Sequence, residues 1–289
     1  MNKKIILITI FIMFVLFFYN EIIYYDKQIF ETLIYNFIPS LLPSLLLINL
    51  FIYVDGITYL YMLLKKNTLG KILFYFLILI LIFSLGLPGN ITIINDLKKK
   101  KIINDSNHLL SSLGCVSFPY AYGICLTNIS NKIVAITILF IYIIINLISL
   151  LIFNFKINFD HELKITNTLL SESFEKAYIN SFKTILLIIV SSILFSSFLF
   201  IFNNFNSPLN YTLNGFIEFS YSCYNLSLLN TTYSYINVLF FLLFPSLSIY
   251  FQIKMIDKSI KVIPLLVTRL LISLSSICIF IIFLHFYHM

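Results

Sequence analysis

Apolar runs of about twenty residues recur from one end of the chain to the other, and the short polar stretches between them carry mostly lysine. About twenty helical residues cross a hydrocarbon core of roughly 30 Å, so the pattern predicts a bundle of membrane helices. The first run, Ile5 to Tyr19, follows Lys3 and Lys4 as a signal sequence would, but Asn20, Glu21 and Ile22 stand where small residues would mark a cleavage site. An uncleaved first span with a cytoplasmic N-terminus is expected.

Tyr24 to Tyr35 mixes Asp26, Lys27 and Glu31 with apolar residues and reads as an interfacial helix. Phe37 to Leu64 carries Pro39 and Pro43 near its start and Asp55-Gly56 in its middle, where a kink or an end is expected. Lys65, Lys66 and Lys71 then return the chain to the cytoplasm.

Ile72 to Leu97 is apolar around Leu87-Pro88-Gly89-Asn90, with Lys71 before it and Lys98 to Lys101 after it. Both ends ask for the same side. A re-entrant hairpin of two half-helices turning at Pro88-Gly89 satisfies that bias, and an ordinary crossing is the alternative.

Ser106 to Thr127 is interrupted by Gly114, Pro119 and Gly123 and reads as a broken helix before a clean span, Ile133 to Phe155. Residues 156–183 form a polar linker in which Thr168 to Tyr178 is an amphipathic surface helix. The remaining segments are a span from Thr184 to Phe202, a polar turn from Asn203 to Asn210, a short segment Tyr211 to Leu229, a run Tyr235 to Ile253 interrupted at Pro245, and a last span Ile263 to Phe286. Lys254, Lys258 and Lys261 put the loop before that span inside and the C-terminus outside.

The expected architecture is therefore an all-α polytopic membrane protein. It has an anchor and interfacial helix over 1–36, membrane halves over 37–155 and 184–289, and the linker between them. Each half has a leading span, a Pro-interrupted segment ending in lysines and a closing span, with Pro88 matched to Pro245. Paired interrupted segments are a feature of transporter-like folds.

Composition agrees, with 60% hydrophobic and 11% charged residues and a mean hydropathy of +0.98; soluble chains are about a quarter charged. The net charge of +7 sits in short loops and marks topology, so nucleic acid is not an expected partner. The absence of Trp and the excess of Ile, Asn, Lys, Phe and Tyr fit AT-rich bacterial coding. Cys115, Cys125, Cys223 and Cys278 lie in or beside apolar runs without CxxC spacing and read as small hydrophobes.

Arg269, one and a half turns past Pro264, is the single arginine. A buried guanidinium needs partners for its planar fork. Glu218, Asp96 or free carbonyls at a broken helix are the expected ones; snorkelling to the interface beside Lys261 and contact with a ligand are the rival readings. Glu218 is the only acid between Glu175 and Asp257 and is either a proton or cation site, an internally paired acid, or a group at a wet helix end. Ser248 and Gln252 share a helix face and can donate to neighbouring broken backbone. Together with Pro88, Gly89, Asn90, Pro119 and Gly215, these residues make up a structural or solute-pathway set.

His108, His161, His285 and His288 show no metal spacing, and the chain has no Gly-rich phosphate loop, GxSxG or paired membrane aspartates. No catalytic residue, metal or cofactor is expected.

Several ordered patterns resemble the YlbJ-type sporulation integral membrane proteins of the nucleoside-recognition "Gate" domain group, over about Phe37 to His285. Gly86-Leu87-Pro88-Gly89-Asn90 looks like the family's Gly-Tyr-Pro-x-Gly turn, and Ser112 to Pro119 loosely matches its Asn-rich stretch. Leu213-Asn214-Gly215-Phe216-Ile217-Glu218 is similar to Leu-x-Gly-x-x-Glu, and Leu247, Ser248 and Gln252 keep its Leu-Ser-x-x-x-Gln. Pro264, Leu266, Arg269, Leu270 and Leu271 meet Pro-x-Leu-x-x-Arg-Leu-Leu. The departures are Gly114, Cys115 and Phe118 in place of asparagines and Tyr250 in place of a histidine, which removes polar groups suited to a ligand. The resemblance implies a role in spore formation at a bacterial cell membrane. The chain would be either transporter-like or a non-transporting component of the spore envelope, with the bilayer, a small solute or ion, and a second copy of the chain as the partners in view.

Overall fold

A computed structural model describes residues 3–152, 156–160, 162–165, 169–202 and 204–287. The expected span end at Phe155, the start of the amphipathic linker helix at Thr168, Asn203, His161, His288 and the side chain of His108 lie outside the described positions. Those described are helical apart from short connections, and no strand is present among them. Among the described residues seven helical stretches are long and apolar enough to cross a membrane, and the chain is an α-helical, multi-pass membrane protein.

The helix α1 (Lys3–Phe17) turns into α2 (Tyr19–Thr32), which continues through a π-helical turn, Leu33–Phe37, into α3 (Ile38–Tyr53). The segment expected to lie as a separate interfacial helix is thus the start of a 35-residue helical run. The wider turn precedes Pro39, whose ring would otherwise clash with the preceding turn. The run stops, as anticipated, at Asp55, which takes a left-handed φ of 56° before α4 (Gly56–Leu64).

The helical stretch α5 (Thr68–Lys99) is broken at Gly86 (φ 56°, ψ −177°) and Leu87 (ψ 140°), and the chain doubles back there. The amide of Ile157 donates to the Tyr75 hydroxyl at 2.6 Å, and the next amide, Asn158, donates to the Ile102 carbonyl at 2.8 Å. A straight helix would hold Tyr75 and Ile102 about 40 Å apart. The hairpin geometry is therefore present and the simple crossing is not. The turn falls one to two residues before Pro88-Gly89.

After the hairpin come α6 (Ser106–Leu113) and α7 (Phe118–Asn128), separated by extended residues, and then α8 (Lys132–Ile152). The second part of the linker, from Leu170, and the next span are a single helix, α9 (Leu170–Ser196), which corrects the expectation of a separate surface helix. Its inner stripe of Ser173, Ala177, Ser181, Thr184, Ile188 and Ser191 packs small residues against α3, including an Asn49 to Ser181 bond of 2.9 Å.

The short segment then resolves into α10 (Leu209–Ile217) and α11 (Phe219–Leu229), joined by extended Glu218 (φ −139°, ψ 110°). The chain reverses here as well. Tyr233, just past α11, donates to Thr212 near the start of α10 at 3.2 Å, so both open ends lie together. The helices α12 (Thr232–Leu243) and α13 (Leu247–Ile256) are divided at Phe244-Pro245-Ser246, and α14 (Val262–Tyr287) closes the fold.

Contacts between loops define two ends of the bundle. Lys261 donates its amide to Asn107, Lys100 pairs with Asp55 at 3.1 Å, and Ser173 reaches the Tyr53 carbonyl, which gathers the lysine-bearing loops at one end. At the other end Ser130 donates to Asn230, and Asn131 reaches Tyr287. The first hairpin opens at the lysine-rich end and the second at the opposite end.

Candidate functional site

The breaks are brought together inside the bundle. Leu87, at the tip of the first hairpin, donates its amide to the Cys115 carbonyl at 2.8 Å, and Val116 in the α6–α7 break donates to Leu242 at the end of α12 at 3.4 Å. These bonds satisfy main-chain groups that neither a helix nor water serves there. Gly86 is required at the tip, since its φ is left-handed and a Cβ would lie 2.0 Å from the Ser117 nitrogen. The Tyr142 hydroxyl of α8 closes the same junction by donating to the Val116 carbonyl at 2.7 Å.

Arg269 locks this junction. It is fully buried on α14. Nε donates to the Leu243 carbonyl at 2.9 Å, and Nη1 donates to the Ser112 carbonyl at 3.1 Å and to Asn146 Oδ1 at 3.0 Å. Ser112 and Leu243 are the last-turn residues of α6 and α12, whose carbonyls have lost their helical partners at the breaks. The negative ends of two half-helices thus face one positive charge. Its partners are free carbonyls at two broken helices together with Asn146, and its burial keeps it from the interface, where snorkelling would put it. Glu218 and Asp96 are not its partners: Asp96 pairs with Lys100 at 2.8 Å.

Glu218 organises a second cluster at the tip between α10 and α11. Its carboxylate is buried and, among the described residues, accepts from hydroxyls and an amide. Oε1 takes Ser220 Oγ at 2.7 Å and Ser192 Oγ at 3.0 Å, and Oε2 takes the Ser220 amide at 3.3 Å and Ser248 Oγ at 3.5 Å. Glu218 is the N-cap of α11, and its side chain holds that helix's first turn. Gln252 donates to Ser191 at 2.7 Å, so Ser248 and Gln252 serve side chains of the Glu218 cluster and of α9, where sequence suggested broken backbone.

The remaining candidates divide between these two clusters. Asn90 donates to the Leu113 carbonyl at 3.3 Å, and Pro88 and Gly89 begin the returning arm beside it. Pro119 occupies the first turn of α7, where its missing amide is harmless. Gly215 lies against the ring of Phe241, only 2.3 Å from where a Cβ would stand, so the second hairpin packs there only without a side chain. Asn146, Ser112, Tyr142, Ser192, Ser220 and Ser246 belong to the clusters and were not anticipated. The polar stripe Tyr142, Asn146, Ser149 at helical spacing on an otherwise apolar span was the available signal.

Two open cavities of about 360 and 340 Å³ flank α2 and α3 and share Tyr35 and Asn36. A buried trio of edge-packed rings, Phe37, Tyr120 and Phe219, adjoins Glu218 in the chain through Phe219 and lines the second cavity through Tyr120. Phe37 lies 5.0 Å from Tyr120 and 5.9 Å from Phe219, and Tyr120 donates to the Ser220 carbonyl. No cluster of three or more potential metal-binding side chains occurs among the described residues, and the four cysteines are unpaired.

Comparison with protein-family models, with curated proteins and with solved structures gives no match for this chain.

Proposed function

We propose that this is a transporter-like membrane protein built from two related halves of opposite orientation, with a solute path between the two hairpin tips. The observation that carries the reading is that one hairpin opens at each end of the bundle while each tip bonds to the break of a further helix inside it, Leu87 to Cys115 between α6 and α7 and Glu218 to Ser248 just past the α12–α13 break. In this reading the order hairpin, broken helix, span occurs twice: over α5 to α8, and over α10 to α14 following α9. The Gly86–Pro88 turn then corresponds to Ile217-Glu218, and Gly114–Ser117 corresponds to Phe244–Ser246, which replaces the pairing of Pro88 with Pro245. The rings of Phe37, Tyr120 and Phe219 form the closed gate toward the two open cavities.

The lysine-rich end is cytoplasmic by the positive-inside rule, which places the protein in a cell membrane and the C-terminus outside. The N-terminal lysines are assigned to the cytoplasm by the same rule. The resemblance to YlbJ-type proteins suggests spore formation as the setting. A non-transporting component of the spore-envelope membrane is the second reading. It is favoured by the Gly114-Cys115-Val116 turn, which offers a solute no strong side-chain polar group.

Uptake into proteoliposomes of a panel of nucleosides, amino acids and ions, with Glu218→Gln and Arg269→Lys as controls, separates the two. A purified, folded protein that moves none of them removes the transport reading.

A further inference from the structure

We infer that Glu218 is a reversible proton-carrying site, with Ser248 and Ser246 as its hydrogen-bond relay. The inference deepens the transport reading by naming a proton as the coupling ion, and it rests on that reading for its role but not for its chemistry.

The argument begins with charge. Glu218 is 1% exposed, and among the described residues no lysine, arginine or histidine bonds to it. The titratable groups that interact with it electrostatically are Tyr120 on α7 and Cys223 on α11. Neither is basic. Arg269, the buried cation among the described residues, bonds instead to Leu243, Ser112 and Asn146. An acid with no cation beside it in a membrane interior is charged only at a large cost, so its neutral form must also be accommodated.

The hydrogen-bond geometry accommodates both forms. In the charged form Oε1 and Oε2 accept from Ser192, Ser220 and Ser248. The weakest of these contacts is Ser248 Oγ at 3.5 Å, and Ser248 Oγ also lies 2.8 Å from Ser246 Oγ, with either oxygen able to donate. When a proton is added to Oε2, the new O–H donates to Ser248 Oγ, and the Ser248 hydrogen turns to Ser246 Oγ. One O–H bond forms on the carboxyl, the Ser248 and Ser246 hydroxyl hydrogens both turn because Ser246 donates to Ser248 in the charged form, no heavy atom moves, and Glu218, Ser248 and Ser246 stay linked. Ser246 sits in the α12–α13 break, so the relay runs from the hairpin tip into the broken helix.

The test follows the carboxyl directly. The full-length protein in proteoliposomes is titrated with acid while the infrared carbonyl band of a protonated carboxylic acid is recorded, in sodium chloride and again in choline chloride. The expected result is a band that grows as pH falls, is missing in Glu218→Gln and has the same midpoint in both salts. Ser246→Ala retains the acid and covers the case in which Glu218→Gln fails to fold. With no acceptor for its hydrogen, Ser248 must keep donating to the carboxylate, so the midpoint falls by roughly half to one pH unit, the worth of one hydrogen bond. No titrating band, a band unaffected by Glu218→Gln or Ser246→Ala, or a midpoint displaced by sodium would overturn the proton assignment; displacement by sodium would make the site a cation site. The titration requires no solute, so an empty uptake panel with a titrating Glu218 would sink transport and leave the proton site standing.

Discussion

Arg269 Nε donates to the Leu243 carbonyl at 2.9 Å, so the last helix of the chain holds the broken end of α12 from the side. The same guanidinium takes the Ser112 carbonyl at the end of α6. One side chain thereby ties together two interrupted helices that are distant in sequence, with Asn146 of α8 as a third anchor.

Arg269→Lys should destabilise the protein by on the order of 3 kcal/mol, because an ammonium cannot serve carbonyls on two different helices and an amide oxygen with a planar fork. Asn146→Ala removes one acceptor and should cost less, about 1–2 kcal/mol. Thermal unfolding of the purified variants in detergent reads both. An Arg269→Lys protein as stable as the parent would contradict the clamp.

The second hairpin predicts a steric dependence between two positions. Gly215→Ala should lower the melting temperature because the added methyl meets the Phe241 ring, whereas Gly123→Ala, with open space around it, should be close to neutral. Shortening the ring in Gly215→Ala/Phe241→Leu should recover part of the loss. A double-mutant cycle without coupling would mean that the two do not touch.

Topology can be read by labelling. In a background lacking Cys278, a cysteine at Asn104 should resist an impermeant thiol reagent added outside intact cells, while one at Asn128 should react. Equal labelling of both would refute the hairpin orientation.

Acid should act on the loop between α13 and α14. Burial raises the Asp257 carboxyl, but the hydroxyl and amide of Ser259, with Lys98 and Lys254 nearby, outweigh it and hold the group below the usual carboxylate range. A lowered folded-state pKa means that this contribution to stability is complete above the unfolded value and disappears as pH falls through the folded one. Asp257→Asn should therefore lower the melting temperature near neutrality, and the difference should begin to close only as pH falls below about 4 toward the lowered folded-state value. Parallel curves across that range would argue against the loop contact.

Much of the bundle was readable from the order of residues. Lysines on both sides of Ile72 to Leu97 marked the hairpin, and Pro245 and Gly114 marked two breaks, because charge and backbone restriction act locally. The second hairpin was hidden. Its segment, Tyr211 to Leu229, has no proline and no lysine, so nothing local showed that the chain turns at Glu218. The continuity of α2 with α3 and of the linker with α9 was likewise missed, since polar residues ended the hydrophobic pattern where tertiary partners such as Ser196 for Asp26 and Tyr53 for Asn180 let the helices run on.

The sequence by itself determined that the chain lives in lipid, that helices are broken near Pro88, Gly114 and Pro245, and that Arg269 needs partners, because water-free surroundings leave no other solution for apolar runs, interrupted backbone and a lone guanidinium. Which carbonyls Arg269 holds, and that Glu218 is ringed by serines from α9, α11 and α13, only the tertiary structure decided. Those contacts join residues up to 157 positions apart, and no local preference carries information over that distance.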